Sequence, residues 1–131
     1  MKLLIAGSRS IGMDRTKKEP TDNPDEIKLV FDILDGLNIL WKPTEVISGN
    51  AMGADELGED WASDNKIPVK QFKPDWKGQG KAAGFIRNKE MVEYCDKAVV
   101  FWDGISKGSK HTIDLLEKSR KEYVVWRFPI D

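Results

Sequence analysis

Three glycine-punctuated segments carry side chains that can hold an anion at points where the chain changes direction. They are Gly7-Ser8-Arg9-Ser10, Ser48-Gly49-Asn50-Ala51-Met52-Gly53-Ala54-Asp55 and Phe101-Trp102-Asp103-Gly104-Ile105-Ser106-Lys107-Gly108-Ser109. Each follows an apolar run. A short strand that ends in such a turn and continues into a helix presents free backbone N–H groups and a positive helix end, which together bind phosphate. Arg9 can grip a phosphate through two hydrogen bonds, Ser8 and Ser10 can each donate one, and Gly7 lets the backbone come close. Gly7 and Ser8 can equally make only a tight strand exit, with Arg9 in solvent.

In the second segment, Ser48 and Gly49 stand at the strand end, and Gly49 with Gly53 can cradle a ligand. Asp55 can accept from a ribose hydroxyl or serve the first turn of its helix. In the third segment, Asp103 and Gly104 end a buried strand and Gly108 and Ser109 lead into a helix. Ser109 therefore suits a helix cap, a phosphate donor, or both. Trp76, in a glycine-containing loop, can stack on a base or pin that loop to the core. Arg87 and Asn88 fall early in a helix, from which they can reach the same place. His111, the sole histidine, is placed in the first turn of a helix and titrates near neutrality, so it can act as an acid or base; lone histidines are more often structural. No motif asks for a metal or a cofactor.

The elements that must position these residues follow from apolar periodicity. Strands are predicted over Lys2–Ala6, Glu45–Ser48, Val69–Phe72, Ala98–Trp102 and Tyr123–Phe128. Helices are predicted from Pro24, with Asn23 as its cap, from Ala54, over Ala82–Cys95 and after Gly108. Alternating strands and helices imply an α/β fold: a Rossmann-like, doubly wound, mostly parallel five-stranded sheet with helices on both faces. Ligands of such sheets bind beyond the carboxyl ends of the strands, where the winding reverses. If the first and fourth strands are neighbours, the turns holding Ser8 and Gly104 face each other there. The polar stretch 10–23 and the loop 73–81 are long enough to serve as lids or as plain connections.

The 131 residues suit a single domain, 1–131, able to bury a core without a disulfide or metal. With 40% hydrophobic and 33% charged residues and a net charge of -1, composition excludes neither an enzyme nor a binding module. Cys95 is the lone cysteine, so an internal disulfide is impossible. The apolar run Leu3–Ala6 is too short for a signal-peptide core and no stretch reaches membrane-span length, which leads to the expectation of a cytoplasmic protein without a membrane partner. Basic residues dominate 66–89 whereas acidic ones dominate the preceding helix, so one electropositive rim is expected.

Four motifs in order resemble the small YspA-related proteins of the SLOG superfamily, which includes the Smf/DprA DNA-processing proteins and the Lonely Guy enzymes. They are Gly-Ser-Arg from Gly7, Ser-Gly-x-Ala-x-Gly-Ala-Asp from Ser48, Asp-Trp-x-x-x-Gly-Lys-Ala-Ala-Gly-x-x-Arg-Asn-x-x-Met from Asp75, and Phe-Trp-Asp-Gly-x-Ser-x-Gly from Phe101. The resemblance spans Leu3 to about Val125. It implies a Rossmann-like domain that binds a nucleotide or a nucleotide-derived phosphorylated ligand, as a sensing or binding module, and a homodimer or higher homo-oligomer. It also implies two alternatives. One is a nucleoside 5'-monophosphate N-glycosidase like the Lonely Guy enzymes, for which Arg87-Asn88-Lys89-Glu90-Met91 looks like the catalytic helix. Thr112, however, falls where those enzymes carry a glutamate, so Asp103, Asp55 or Glu90 would have to supply the carboxylate, and Arg87 and His111 complete the candidates. The other is DprA-like binding of single-stranded DNA. Met52 and Asn50 replace the arginine and glycine common there, and a pI of about 5.9 argues against nucleic acid as a partner.

Overall fold

The structure, a computed structural model, describes residues 1–14, 16 and 21–129. Among these residues five strands, β1 (Lys2–Gly7), β2 (Glu45–Ser48), β3 (Val69–Gln71), β4 (Lys97–Trp102) and β5 (Glu122–Arg127), form one sheet in the order β3-β2-β1-β4-β5. All neighbouring pairs are parallel. β1 and β4 lie side by side at its centre, with Gly7 opposite Phe101. Winding runs outward from β1 through β2 to β3, then crosses to β4 and β5, so the reversal falls between β1 and β4.

Among the described residues five α-helices accompany the sheet: α1 (Pro24–Trp41), α2 (Ala54–Asp64), α3 (Trp76–Gln79), α4 (Ala83–Tyr94) and α5 (Lys107–Lys118). Successive strand residues point to opposite faces, and each face buries its own layer. Leu3, Ile5, Val46, Val99 and Phe101 pack with Val30, Leu34, Trp61 and Ala62 of α1 and α2. Leu4, Ala6, Ile47, Ala98 and Val100 pack with Met91, Val92, Cys95 and Leu116 of α4, its end and α5. Burial on both faces explains why β1 and β4 read as unbroken apolar runs. Among the described residues no helix is long and apolar enough to cross a membrane.

Helix ends follow local chemistry. Asn23 caps α1 by accepting from the Glu26 N–H at 3.2 Å, with Pro24 in the first turn. At the carboxyl end of α4, the Lys121 ammonium donates to the carbonyls of Val92, Glu93 and Cys95. Its three donors thus satisfy orphan carbonyls where the helix dipole is negative, and they anchor the helix that carries Arg87. Two expectations are corrected. The segment 73–81 is no featureless loop: α3 and a 3-10 turn, Gly80–Ala82, occupy it, with the Asp75 carboxylate accepting from the Gly78 N–H. A four-residue helix is too short to leave a periodic signal. Ser109 does not cap α5, because Ser106 does so one turn earlier; that moves His111 out of the first turn. Of the stretch 10–23, residues 15 and 17–20 lie outside the described residues.

α2 sits very close to the sheet. A Cβ placed on Gly58 would stand 2.6 Å from Ile5 Cγ2, whereas one on Gly36 of α1 would meet nothing within 4 Å. The same substitution should therefore change stability in opposite directions. Gly58→Ala is expected to lose about 1–2 kcal/mol, since overpacking outweighs the gain in helix propensity, and Gly36→Ala to gain about 0.5–1 kcal/mol. Urea midpoints at unchanged slope measure both; equal shifts would refute the close packing of α2 on β1.

Candidate functional site

A cavity of about 450 Å³ opens at the carboxyl ends of β1 and β4. Its wall draws on β1 and its turn (Gly7, Arg9, Ser10), on the start of α2 (Ala51, Asp55), on α3 and the turn after it (Trp76, Lys81), on α4 (Phe85, Arg87, Asn88, Met91) and on the β4–α5 turn (Asp103, Ser106, Gly108, Ser109). The three glycine segments and the helix around Arg87 therefore meet at one place.

A buried carboxylate and a half-buried guanidinium dominate its electrostatics. Asp55, 5% exposed, has Oδ2 accepting from the Ala51 N–H at 3.1 Å. Burial pushes its carboxyl up to about 6, against the pull of that hydrogen bond and of the Arg87 and Arg9 charges, with Glu59 adding to the rise. Arg87 donates from Nη1 to the Gly49 carbonyl and from Nε to Asn88 Oδ1. Burial lowers its pKa, Asp55 opposes that change, and Arg9 adds to it. Every sealed-off side-chain nitrogen or oxygen among the described residues has a hydrogen-bond partner. Asp55 Oδ1 and Arg87 Nη2 have none, so neither is sealed off, and both residues line the cavity.

Gly49 makes this arrangement possible. A Cβ there would stand 2.6 Å from Arg87 Nη1 and 2.8 Å from Asp55 Oδ2, so any larger residue would displace one of them. Gly53, at φ 71°, also permits a close approach, since its lack of a side chain lets the carbonyls of Ser8 and Arg9 come up to the start of α2. The Ser8 carbonyl then accepts from the Ala54 N–H at 3.2 Å.

Several sequence candidates support the wall from behind. Ser8, 1% exposed, lies beneath the cavity; its Oγ accepts from the Asp103 N–H at 3.0 Å and shares a hydrogen bond with Ser109 Oγ at 3.1 Å. Ser48 is likewise beneath, donating to Glu59 at 2.6 Å. Gly7 does line the cavity, yet a Cβ there would also collide with the Phe101 carbonyl, so strand pairing already demands glycine. Gly104, at φ 81°, leaves room for the Arg127 guanidinium outside the cavity. Asp103 lines the wall with its carboxylate engaged: Oδ1 accepts from the N–H groups of Ile105 and Ser106, and Oδ2 from the Ser10 hydroxyl. Burial raises its pKa, but these bonds prevail and hold it below the ordinary carboxylate range. Glu90 is exposed on α4 away from the cavity. His111 lines a neighbouring groove, its Nδ1 3.4 Å from Asn88 Nδ2, and burial lowers its pKa.

Trp76 is 54% exposed at the rim and lies over Gly84, where an added Cβ would come 3.5 Å from its ring. Arg9 is exposed. Gly108 and Ser109 bring the first turn of α5 to the cavity, where helical N–H groups lack intrahelical partners. Thr112 is at the wall and donates back to the Gly108 carbonyl at 3.2 Å.

Phe85 lines this site without having stood out in the sequence, although it precedes Asn88 by three residues and so shares its helix face. Lys81 and Ser106, also in the wall, are fixed positions of the motifs that carry the resemblance. No cluster of three or more His, Cys, Asp or Glu residues suited to a metal ion occurs among the described residues.

Comparison with known proteins points the same way. A family model described as the YspA, cpYpsA-related SLOG family matches residues 1–78. The Gene 61 protein of Mycobacterium phage D29 is 31% identical over 125 residues, covering 90% of each chain. No solved structure matches. The chain belongs to the YspA, cpYpsA-related SLOG family.

Proposed function

We propose that the protein binds a nucleotide or a nucleotide-derived phosphorylated ligand in the cavity between the ends of β1 and β4. The reading rests on one observation: Arg9, the open Nη2 of Arg87 and the first turn of α5 converge on a cavity whose buried carboxylate, Asp55, keeps one oxygen open beside Arg87. Membership of the SLOG family supports a nucleotide-related ligand. In this reading the phosphate is held by the two guanidinium groups and the helix N–H groups, the Asp55 carboxylate accepts from a ribose hydroxyl, and Trp76 covers the base. Mutual repulsion of Arg9 and Arg87 in the empty cavity is relieved by the anion.

Arg9 gives the cleanest test because it is exposed and supports no other element. Arg9→Ala should weaken binding about 10-fold to 100-fold while changing stability by less than about 0.5 kcal/mol. Calorimetric titration with nucleoside mono-, di- and triphosphates, beside thermal unfolding, reads both. No binding by any of them, or unchanged affinity in the variant, overturns the site.

Asp55 links ligand binding to pH. Its folded-state pKa of about 6 lies above the ordinary carboxyl value of 3.8, so the folded protein holds this proton more tightly than the unfolded chain. The contribution of Asp55 to stability is therefore greatest below about pH 4, declines between about pH 4 and 6, and stays at its lower level above. Asp55→Asn should remove that decline and raise stability at pH 7.5 by roughly 1–3 kcal/mol, while weakening nucleotide binding. Affinity should increase as pH rises through 6 more steeply in the wild type than in the variant, which retains only the titration of the nucleotide's own phosphate. A variant less stable than wild type at pH 7.5 would contradict the buried-charge account.

A second reading, hydrolysis of the N-glycosidic bond of a nucleoside monophosphate to free base and ribose 5-phosphate, draws on the same carboxylate. With Asp103 engaged and Thr112 in the glutamate's place, Asp55 is the group able to take a proton from the attacking water. Free base should then appear from at least one monophosphate and vanish in Asp55→Asn; no product from any would leave binding alone.

A further inference from the structure

Beside the main cavity lies a groove of about 290 Å³, formed by Phe85, Trp102, Ile105, Lys107, Lys110, His111 and Asp114. The nucleotide reading does not use it, but the two spaces are neighbours that share a wall residue. Phe85 lines both. The start of α5 stands between them, with Gly108 and Ser109 in the first wall and Lys107 and Lys110 in the second.

The groove is built rather than incidental. Trp102 Nε1 donates to the Ser106 carbonyl at 3.1 Å, which locks its ring to the α5 cap. Phe85 meets His111 edge to face at a centroid separation of 4.6 Å. His111 is held in turn by Asn88, itself a wall residue of the main cavity. Apolar surface is nevertheless left open here: Phe85 is 49% and Ile105 84% exposed. Exposed apolar groups held rigidly beside a polar site mark a place for an apolar or planar ligand group. Charge narrows the class. Lys110 pairs with Asp114, whereas Lys107 has no partner among the described residues and sits where the helix end is positive.

We propose that this groove is a second subsite, which takes the distal base of a ligand whose phosphates cross the first turn of α5. The ligand class is then a dinucleotide, two nucleosides joined through a pyrophosphate. One base lies by Trp76 and the other between Phe85, Trp102 and Ile105, with Lys107 beside the bridging phosphates. This inference rests on the reading of the main cavity as a nucleotide site.

Matched pairs of ligands separate the two ideas. Each nucleoside 5'-monophosphate is titrated calorimetrically against the symmetrical 5',5'-dinucleoside pyrophosphate of the same base. For the base that binds, the dinucleotide should bind about 10-fold to 100-fold more tightly, the range expected for stacking one further base. Ile105→Asp, at an exposed position that leaves folding intact, should abolish this gain and leave the monophosphate affinity within about twofold. If the monophosphate binds and the dinucleotide binds no better, the second subsite is refuted while the main site stands. Equal loss of both affinities in Ile105→Asp also refutes it. If no member of any pair binds, both readings fall.

Discussion

Ser8 is the junction on which the site depends. Its N–H donates to the Phe101 carbonyl at 2.9 Å and continues the β1–β4 pairing one residue past the strand end. Its carbonyl accepts from Ala54 at the start of α2, and its hydroxyl joins the Asp103 N–H to Ser109 of α5. A single buried serine thus ties two strand exits to two helix starts. The bonds lie where an unpaired polar group would be costly, so the turn after β1, the turn after β4 and both helices hold one relative position. Gly7 and Gly53 allow that approach by presenting no side chain to it.

A different economy operates around Gly49. Asp55 and Arg87 are held close to its Cα with much of their hydration removed, and each keeps one polar atom without a hydrogen-bond partner. Such groups lower the stability of the empty protein and become favourable when a ligand completes their hydrogen bonds. Lys121 has the opposite role: by closing the carboxyl end of α4 it steadies the helix that holds Arg87 in place. Rigid support behind open polar groups is the arrangement expected of a preorganised binding site.

Much of this fold is legible in the sequence. The strand Glu45–Ser48 has the bounds its apolar run predicts, because Ser-Gly and Pro punctuation brackets it. The β1–β4 adjacency enters the sequence reading only as a condition, since periodicity places strands in order along the chain and says nothing of their order in the sheet. Short elements are harder. α3 and the cap at Ser106 depend on single side-chain bonds from Asp75 and Ser106, which leave no repeat in the sequence.

The amino-acid sequence by itself determined the alternation of strands and helices, the position of the glycine turns at strand ends and the family resemblance, because these depend on local residue types and their spacing. Only the tertiary structure decided which polar residues keep an atom without a hydrogen-bond partner. Ser8, Ser48 and Asp103 have suitable chemistry, but their hydrogen-bonding capacity is taken up within the fold, whereas Asp55 and Arg87 keep an open atom. That distinction comes from burial and from partners distant in sequence. The grouping of Phe85, Trp102 and Ile105 beside α5 arises in the same way, through packing between elements that no local pattern encodes.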